Sequence, residues 1–147
     1  MVATEGVVVP AWVGFDIGCG MIAVRTSFDA SEVRANAKAV FDNIYRDVPV
    51  GFAHHKASTQ WSAGDAMPKS DALRSILDKK GTADLHTLGG GNHFIEIGAD
   101  EQDRVWIVIH SGSRGLGHSL ATHYMKVAAG DGKAREGHYA LSVDSSD

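Results

Sequence analysis

Three glycine-rich segments carry the side chains in this sequence that are suited to chemistry. Gly14-Phe15-Asp16-Ile17-Gly18-Cys19-Gly20-Met21 holds the single cysteine three residues after an aspartate, Leu88-Gly89-Gly90-Gly91-Asn92-His93-Phe94 presents one histidine, and His110-Ser111-Gly112-Ser113-Arg114-Gly115 another. A thiolate, a carboxylate and two imidazoles form a borderline-soft donor set that suits zinc, manganese or another divalent transition metal. The lone thiol has no disulfide partner in the chain, and a thiolate can bridge two ions that a carboxylate also clamps. Asp16, Cys19, His93 and His110 are the expected metal ligands. Taken singly, each has a plainer role: Asp16 as a turn former, Cys19 as a small buried hydrophobe, His93 as a hydrogen-bonded strand-end side chain. Their occurrence together in one short chain favours a shared site.

Around these donors, Ser111, Ser113 and Arg114 form a turn rich in hydroxyl and N–H groups with a planar guanidinium fork, the features that cradle phosphate, although a tight loop with a solvated arginine has the same composition. Asn92 and Glu96 flank His93 and are placed to orient a ligand or read a base edge, with an exposed strand charge as the alternative for Glu96. His54-His55 is a secondary ligand candidate. His118 and His123, five apart on a helical pattern, fall on different faces and read as surface or packing residues.

The elements that must position these residues are legible in part. Residues 6–13 are Val-rich and β-prone, and so are 21–28, which puts Asp16 to Gly20 in the turn between two strands. Asp29 with Glu32 resembles a capping box, and Val33, Ala37, Val40, Phe41, Ile44 and Tyr45 continue at helical spacing, predicting a helix over 30–47 that Pro49 ends. The stretch 51–69 is irregular. Ser70 caps a short helix with Leu73, Ile76 and Leu77 on its apolar face, stopped by Gly81. Strands over 92–98 and 104–110, joined by a polar turn, read as a hairpin, with His93, Ile95 and Ile97 on one face and Phe94 and Glu96 on the other. A helix over 115–129 closes at Gly130.

The 147 residues carry a net charge of -4, with 44% hydrophobic and 22% charged residues. That composition is globular, and a chain of this length supports one core; the whole, 1–147, reads as a single domain. The acidic balance argues against coating nucleic acid by bulk electrostatics, so any such contact must be local. No apolar run is long enough to span a bilayer and no basic-then-apolar leader is visible, which leads to the expectation of a cytoplasmic protein without a membrane partner.

At these residues the chain resembles the RtcB family of RNA ligases, whose signatures include an Asp-x-Gly-Cys-Gly-Met loop, a Gly-Asn-His-Phe-[Ile/Leu]-Glu-Ile strand and a His-Ser-Gly-Ser-Arg-Gly turn. All three occur in order, and the likeness runs from about Gly6 to Ala129. It implies an α+β, RtcB-like fold, present in part, and a ligase that joins RNA 2′,3′-cyclic phosphate or 3′-phosphate ends to 5′-hydroxyl ends with GTP and manganese, in tRNA splicing or RNA repair. By motif position the resemblance makes Asp16, Cys19, His93 and His110 ligands of one or two Mn2+ ions. It sets Asn92, Phe94 and Glu96 near the guanine nucleotide, and Arg114, Ser111 and Ser113 near phosphate. RNA ends such as tRNA halves would be the partners.

The departures are equally specific. The family's upstream Pro-Asp-x-His-x-Gly-x-Gly segment, its His-His-Asn motif and its Ser-His-Gly-Ala-Gly-Arg motif, whose histidine takes the guanylyl group, do not occur in these residues. The expectation is a central piece of the ligase, inactive alone and dependent on a complementing chain. A noncatalytic module that binds a nucleotide or RNA end is the alternative; metal-dependent hydrolysis with Glu96 as base ranks last.

Overall fold

The Val-rich stretch 6–13, expected as one strand, divides at Pro10. In a computed structural model, which describes residues 2–55, 70–80 and 84–144, β1 is only Val7–Val8 and α1 is a single helical turn, Pro10–Val13. Proline has no N–H for a strand ladder, and its fixed φ suits the first helical position, where that N–H would have no partner anyway. The loop that carries Asp16 and Cys19 therefore joins a helix to a strand, not two strands.

That strand, β2 (Gly20–Asp29), runs into α2 (Ala30–Ala35) through the expected capping box. Asp29 accepts from the Ser31 amide at 2.9 Å, and the Asp29 amide donates to Glu32 Oε2 at 3.5 Å. The helix predicted over 30–47 is two helices, because Asn36 leaves helical geometry (φ -114°, ψ 12°) and α3 (Ala37–Asp47) starts afresh. The Asn36 side-chain amide donates to the Glu32 carbonyl at 2.9 Å, the kind of local side-chain bond that competes with the helical ladder.

Ser70 caps α4 (Asp71–Lys80) as expected, its Oγ accepting from the Leu73 amide at 3.4 Å; the stop read at Gly81 lies outside the described residues. The hairpin is formed by β3 (Phe94–Ala99) and β4 (Arg104–Ser111), antiparallel with Phe94 opposite His110. Its turn is held by Asp100, whose carboxylate accepts from the Gln102 and Arg104 amides and from Trp106 Nε1 at 2.8 Å. Then α5 (Leu116–Ala129) runs between two glycines in the left-handed region, and β5 (Leu141–Ser142) returns to pair with β1.

The larger sheet has the order β2-β4-β3, all antiparallel, and its register sorts the side chains onto two faces. Met21, Phe94 and His110 stand in one row, with Ala23, Glu96 and Val108 in the next; Ile22, Ile95 and Ile109 stand on the opposite face with Val24, Ile97 and Ile107. α2 lies against β2 and β4, and Val33 and Val40 line a groove over the isoleucine face. A second cluster, under α1, α4 and α5, buries Val9, Leu77, Leu88, Ala121 and Met125. The result is the expected α+β arrangement of helices with antiparallel sheets, and among the described residues no helix is long and apolar enough to cross a membrane.

Candidate metal centre

The 14–20 loop turns on glycines: Gly14 and Gly18 have φ of 89° and 82°, a region costly for any residue with a Cβ, and the Cys19 amide closes the turn onto the Asp16 carbonyl at 3.3 Å. The loop rests on the first turn of α5 where that helix has Gly117. A Cβ at 117 would meet Ser113 Oγ at 2.5 Å and the Ile17 amide nitrogen at 2.7 Å, with the Ile17 carbonyl nearer still. Close approach of loop and helix is thus written into Gly117.

This placement brings Asp16 and Cys19 against the end of β4. One donor atom each from Asp16, Cys19 and His110 lies within 4.8 Å of the others. His93 joins them through Asp16, its Nε2 bonded to Asp16 Oδ2 at 3.0 Å, and its ring stands edge-on to His110 with centroids 5.0 Å apart. Two donors bound at about 2.1 Å to one ion are themselves roughly 3 Å apart, so that hydrogen-bond distance is also a ligand-to-ligand distance. His93 is nearly enclosed, and its other nitrogen, Nδ1, is buried without a hydrogen-bond partner among the described residues. A thiol, a carboxylate and the His110 imidazole converge, with His93 outside that group and joined to it through Asp16, and this donor set fits a borderline divalent cation in its chemistry.

The electrostatics follow the same contacts. The hydrogen bond from His93, first, and then those from Cys19 and Ser113 hold the Asp16 carboxyl below the usual carboxylate range, against partial desolvation that pushes it up. The Cys19 thiol is pushed up, first by desolvation and then by the Asp16 charge beside it. Both effects belong to the site without a cation; a positive ion favours the thiolate and the carboxylate together.

The other expected site residues are distributed differently. Ser113 faces the loop, its Oγ donating to Asp16 Oδ1 at 3.4 Å and accepting from the Gly117 amide at 3.2 Å. Arg114 is turned inward, Nε donating to Thr87 Oγ1 at 2.6 Å and Nη2 to the Gly51 carbonyl at 2.9 Å, with Asp84 at 3.7 Å. Its guanidinium thereby ties the strap at Gly51 to the segment before Gly89. Ser111 ends β4 opposite Gly20. Asn92 is exposed on the glycine turn, and Phe94 and Glu96 stand on the His110 face of the sheet, with the Phe94 ring 5.8 Å from that of His110. His93 sits ahead of β3, so strand alternation does not govern its ring.

With this geometry in hand, the family comparison is decisive: the family model described as tRNA-splicing ligase RtcB matches residues 1–69 and 57–144. The chain belongs to the RtcB family. It is 36% identical over 144 residues to an RNA-splicing ligase RtcB1 of Escherichia coli, 87% of this chain and 35% of that protein. Similarity to tRNA-splicing ligases RtcB of Aeropyrum pernix (28%, 84% of this chain) and Pyrobaculum aerophilum (29%, 85% of this chain) covers the same 35% of each. The chain therefore spans about a third of the length of the curated relatives it matches.

Beside the RtcB motifs lies a cleft of about 730 Å³ whose walls include Asp16, His93, Phe15, Phe52, His54 and His118. His118 is, as its spacing implies, a surface and packing residue: it is exposed and its ring lies against Phe15 with centroids 4.9 Å apart on the cleft wall. Asp84 was not signalled at all: it is a buried carboxylate that binds His54 Nδ1, and only the fold brings residues thirty apart together.

Proposed function

We propose that this chain forms part of the metal and RNA-end site of an RtcB-type RNA ligase. The reaction would join 2′,3′-cyclic phosphate or 3′-phosphate ends to 5′-hydroxyl ends, using GTP and manganese, in tRNA splicing or RNA repair. The observation that carries this reading is the convergence of Asp16, Cys19 and His110, with His93 bonded to Asp16, at one point beside an open cleft. Asp16, Cys19, His93 and His110 would hold one or two manganese ions, which supply Lewis-acid stabilisation of phosphate oxygens and of the leaving pyrophosphate. The chain's own residues then bind and orient. Glycines 90 and 91 and Gly115 leave backbone exposed on the cleft wall for close approach, while Asn92 and Glu96 offer polar groups to the guanine nucleotide and Phe94 a ring face. Arg114 acts by fixing the cleft wall through Gly51 and Thr87 as much as by its charge.

The guanylyl-accepting histidine of the family motif has no counterpart in these residues, so the chain alone is expected to bind manganese without forming a covalent GMP adduct. Metal analysis of the purified chain and its Cys19→Ala variant tests the first half: the variant should lose most bound manganese, and equal retention would make Cys19 structural. Incubation with labelled GTP and manganese tests the second, and a stable adduct would overturn it.

A further inference from the structure

The cleft has a second chemical feature that the RtcB motifs do not account for. His54 binds Asp84 Oδ1 through Nδ1, and Asp84 is buried, 7% exposed, with Arg114 Nη2 3.7 Å from the same oxygen. The backbone around this pair is unusually constrained. His86 and Arg114 are two of the three non-glycine residues with positive φ (62° and 53°) among the described residues. The strap leading to His54 is pinned by Gly51 N to Gly89 O at 2.9 Å and by Leu88 N to Pro49 O at 2.9 Å, and His55 Nε2 lies 3.2 Å from the His86 carbonyl. Left-handed non-glycine residues cost energy that the surroundings must offset, and they gather where a side chain has to be aimed.

What is aimed is one nitrogen. A carboxylate accepts only, so a neutral His54 keeps its proton on Nδ1 and presents Nε2 to the cleft as a lone pair. The side chain is 53% exposed and lines the same cleft as Asp16 and His93. Unlike His93, which is bonded to Asp16, His54 has its Nδ1 engaged by Asp84 away from the donors Asp16, Cys19 and His110, and hydrogen bonding to a bound molecule is the chemistry open to its other nitrogen. We propose that His54 Nε2 accepts a hydrogen bond from a ribose hydroxyl of the RNA end held in the cleft, with Asp84 as the positioning residue that fixes its tautomer. This rests on the RNA-end reading above.

The test uses the full chain with manganese and three short single-stranded RNAs, identical except that one ends in a 5′-hydroxyl, one in a 5′-O-methyl group, and one has a 2′-deoxy terminal residue. One lost neutral hydrogen bond is worth roughly 2- to 10-fold in affinity. The parent should bind the unmodified RNA that much more tightly than one of the altered RNAs, which identifies the hydroxyl, and His54→Ala should bind all three alike. Nitrogen-15 histidine spectra give a reading independent of RNA: His54 should be the Nδ1–H tautomer in the parent and lose that preference in Asp84→Asn. No discrimination by the parent, discrimination that survives His54→Ala, or an Nε2–H tautomer overturns the proposal while leaving the ligase reading intact. If the parent binds none of the RNAs, both fall.

Discussion

His93 is placed by what its neighbours lack. Its ring lies between Gly89 and Gly112, where a Cβ would come within 3.0 Å of Nδ1 from residue 89 and 2.5 Å of Cε1 from residue 112. Gly112→Ala should therefore swing the imidazole off Asp16 and weaken manganese binding by at least roughly 10-fold, the scale of losing the group that orients a ligand. Calorimetric titration checks this, with far-ultraviolet dichroism expected unchanged. A second residue-scale expectation concerns Asp100, held below the usual carboxylate range first by its bond from Trp106 and then by the Arg104 and Gln102 amides. A carboxyl depressed by folding contributes stability that is complete above its unfolded value, about 3.9, and is lost as pH falls through the lower folded value. As pH falls through the lower folded value the Trp106 indole N–H resonance should move and the hairpin loosen. Asp100→Asn, which cannot titrate, should flatten that part of the acid profile; an unchanged profile would exclude Asp100 as its source.

At the scale of elements, Gly117 sets two effects against each other. Replacing a helical glycine by alanine gains up to about 1 kcal/mol in helix propensity, whereas forcing a methyl into packed backbone costs about 1–3 kcal/mol. The obstacles at 117 are the backbone of Ile17 and the Ser113 hydroxyl, and main chain does not yield as a flexible side-chain end would. Gly117→Ala should thus destabilise the chain by about 1–2 kcal/mol in urea titration and loosen the loop bearing Cys19; a stabilised variant would mean the loop gives way freely. The same element shows what a sequence can declare. Gly115 and Gly130 mark both ends of α5, and Asp29 and Ser70 mark helix starts, because caps are local chemistry. The hairpin was legible from alternation. Pro10 and Asn36 were passed over, each a single residue whose backbone demand overrides a run of favourable neighbours. Of the site, the donors Asp16, Cys19, His93 and His110 were readable as residue types, but the His54–Asp84 pair and the inward turn of Arg114 depend on contacts across 30 and 63 residues that no local pattern encodes.

For the whole molecule, the apolar surface is the quantity that does not balance. Ile22, Val24 and Phe28 on β2 are 55%, 44% and 58% exposed, and a groove of about 660 Å³ runs between the isoleucine face and the α2–α3 pair, lined by Phe28, Val33, Val40, Ile97 and Ile107. Contiguous apolar patches of this kind are uncommon on an independent domain and mark a surface that something covers. β2 and β3 are also the outer strands of the three-stranded sheet, unpaired on their outer sides among the described residues. The chain matches 35% of the length of the Escherichia coli relative, and we propose that the other parts of such a ligase are the occupant. Anything that binds the folded state alone stabilises it by mass action, about 2.7 kcal/mol at one hundred times the dissociation constant. Adding the C-terminal portion of the Escherichia coli relative in trans should raise the melting temperature by several degrees and suppress binding of an apolar dye. Val24→Lys, which puts a charge on the half-exposed β2 face, should abolish that gain while leaving the chain's own melting temperature within a few degrees of the parent. Equal shifts for parent and variant would place the contact elsewhere, and no shift in the parent would mean that this apolar surface has another occupant.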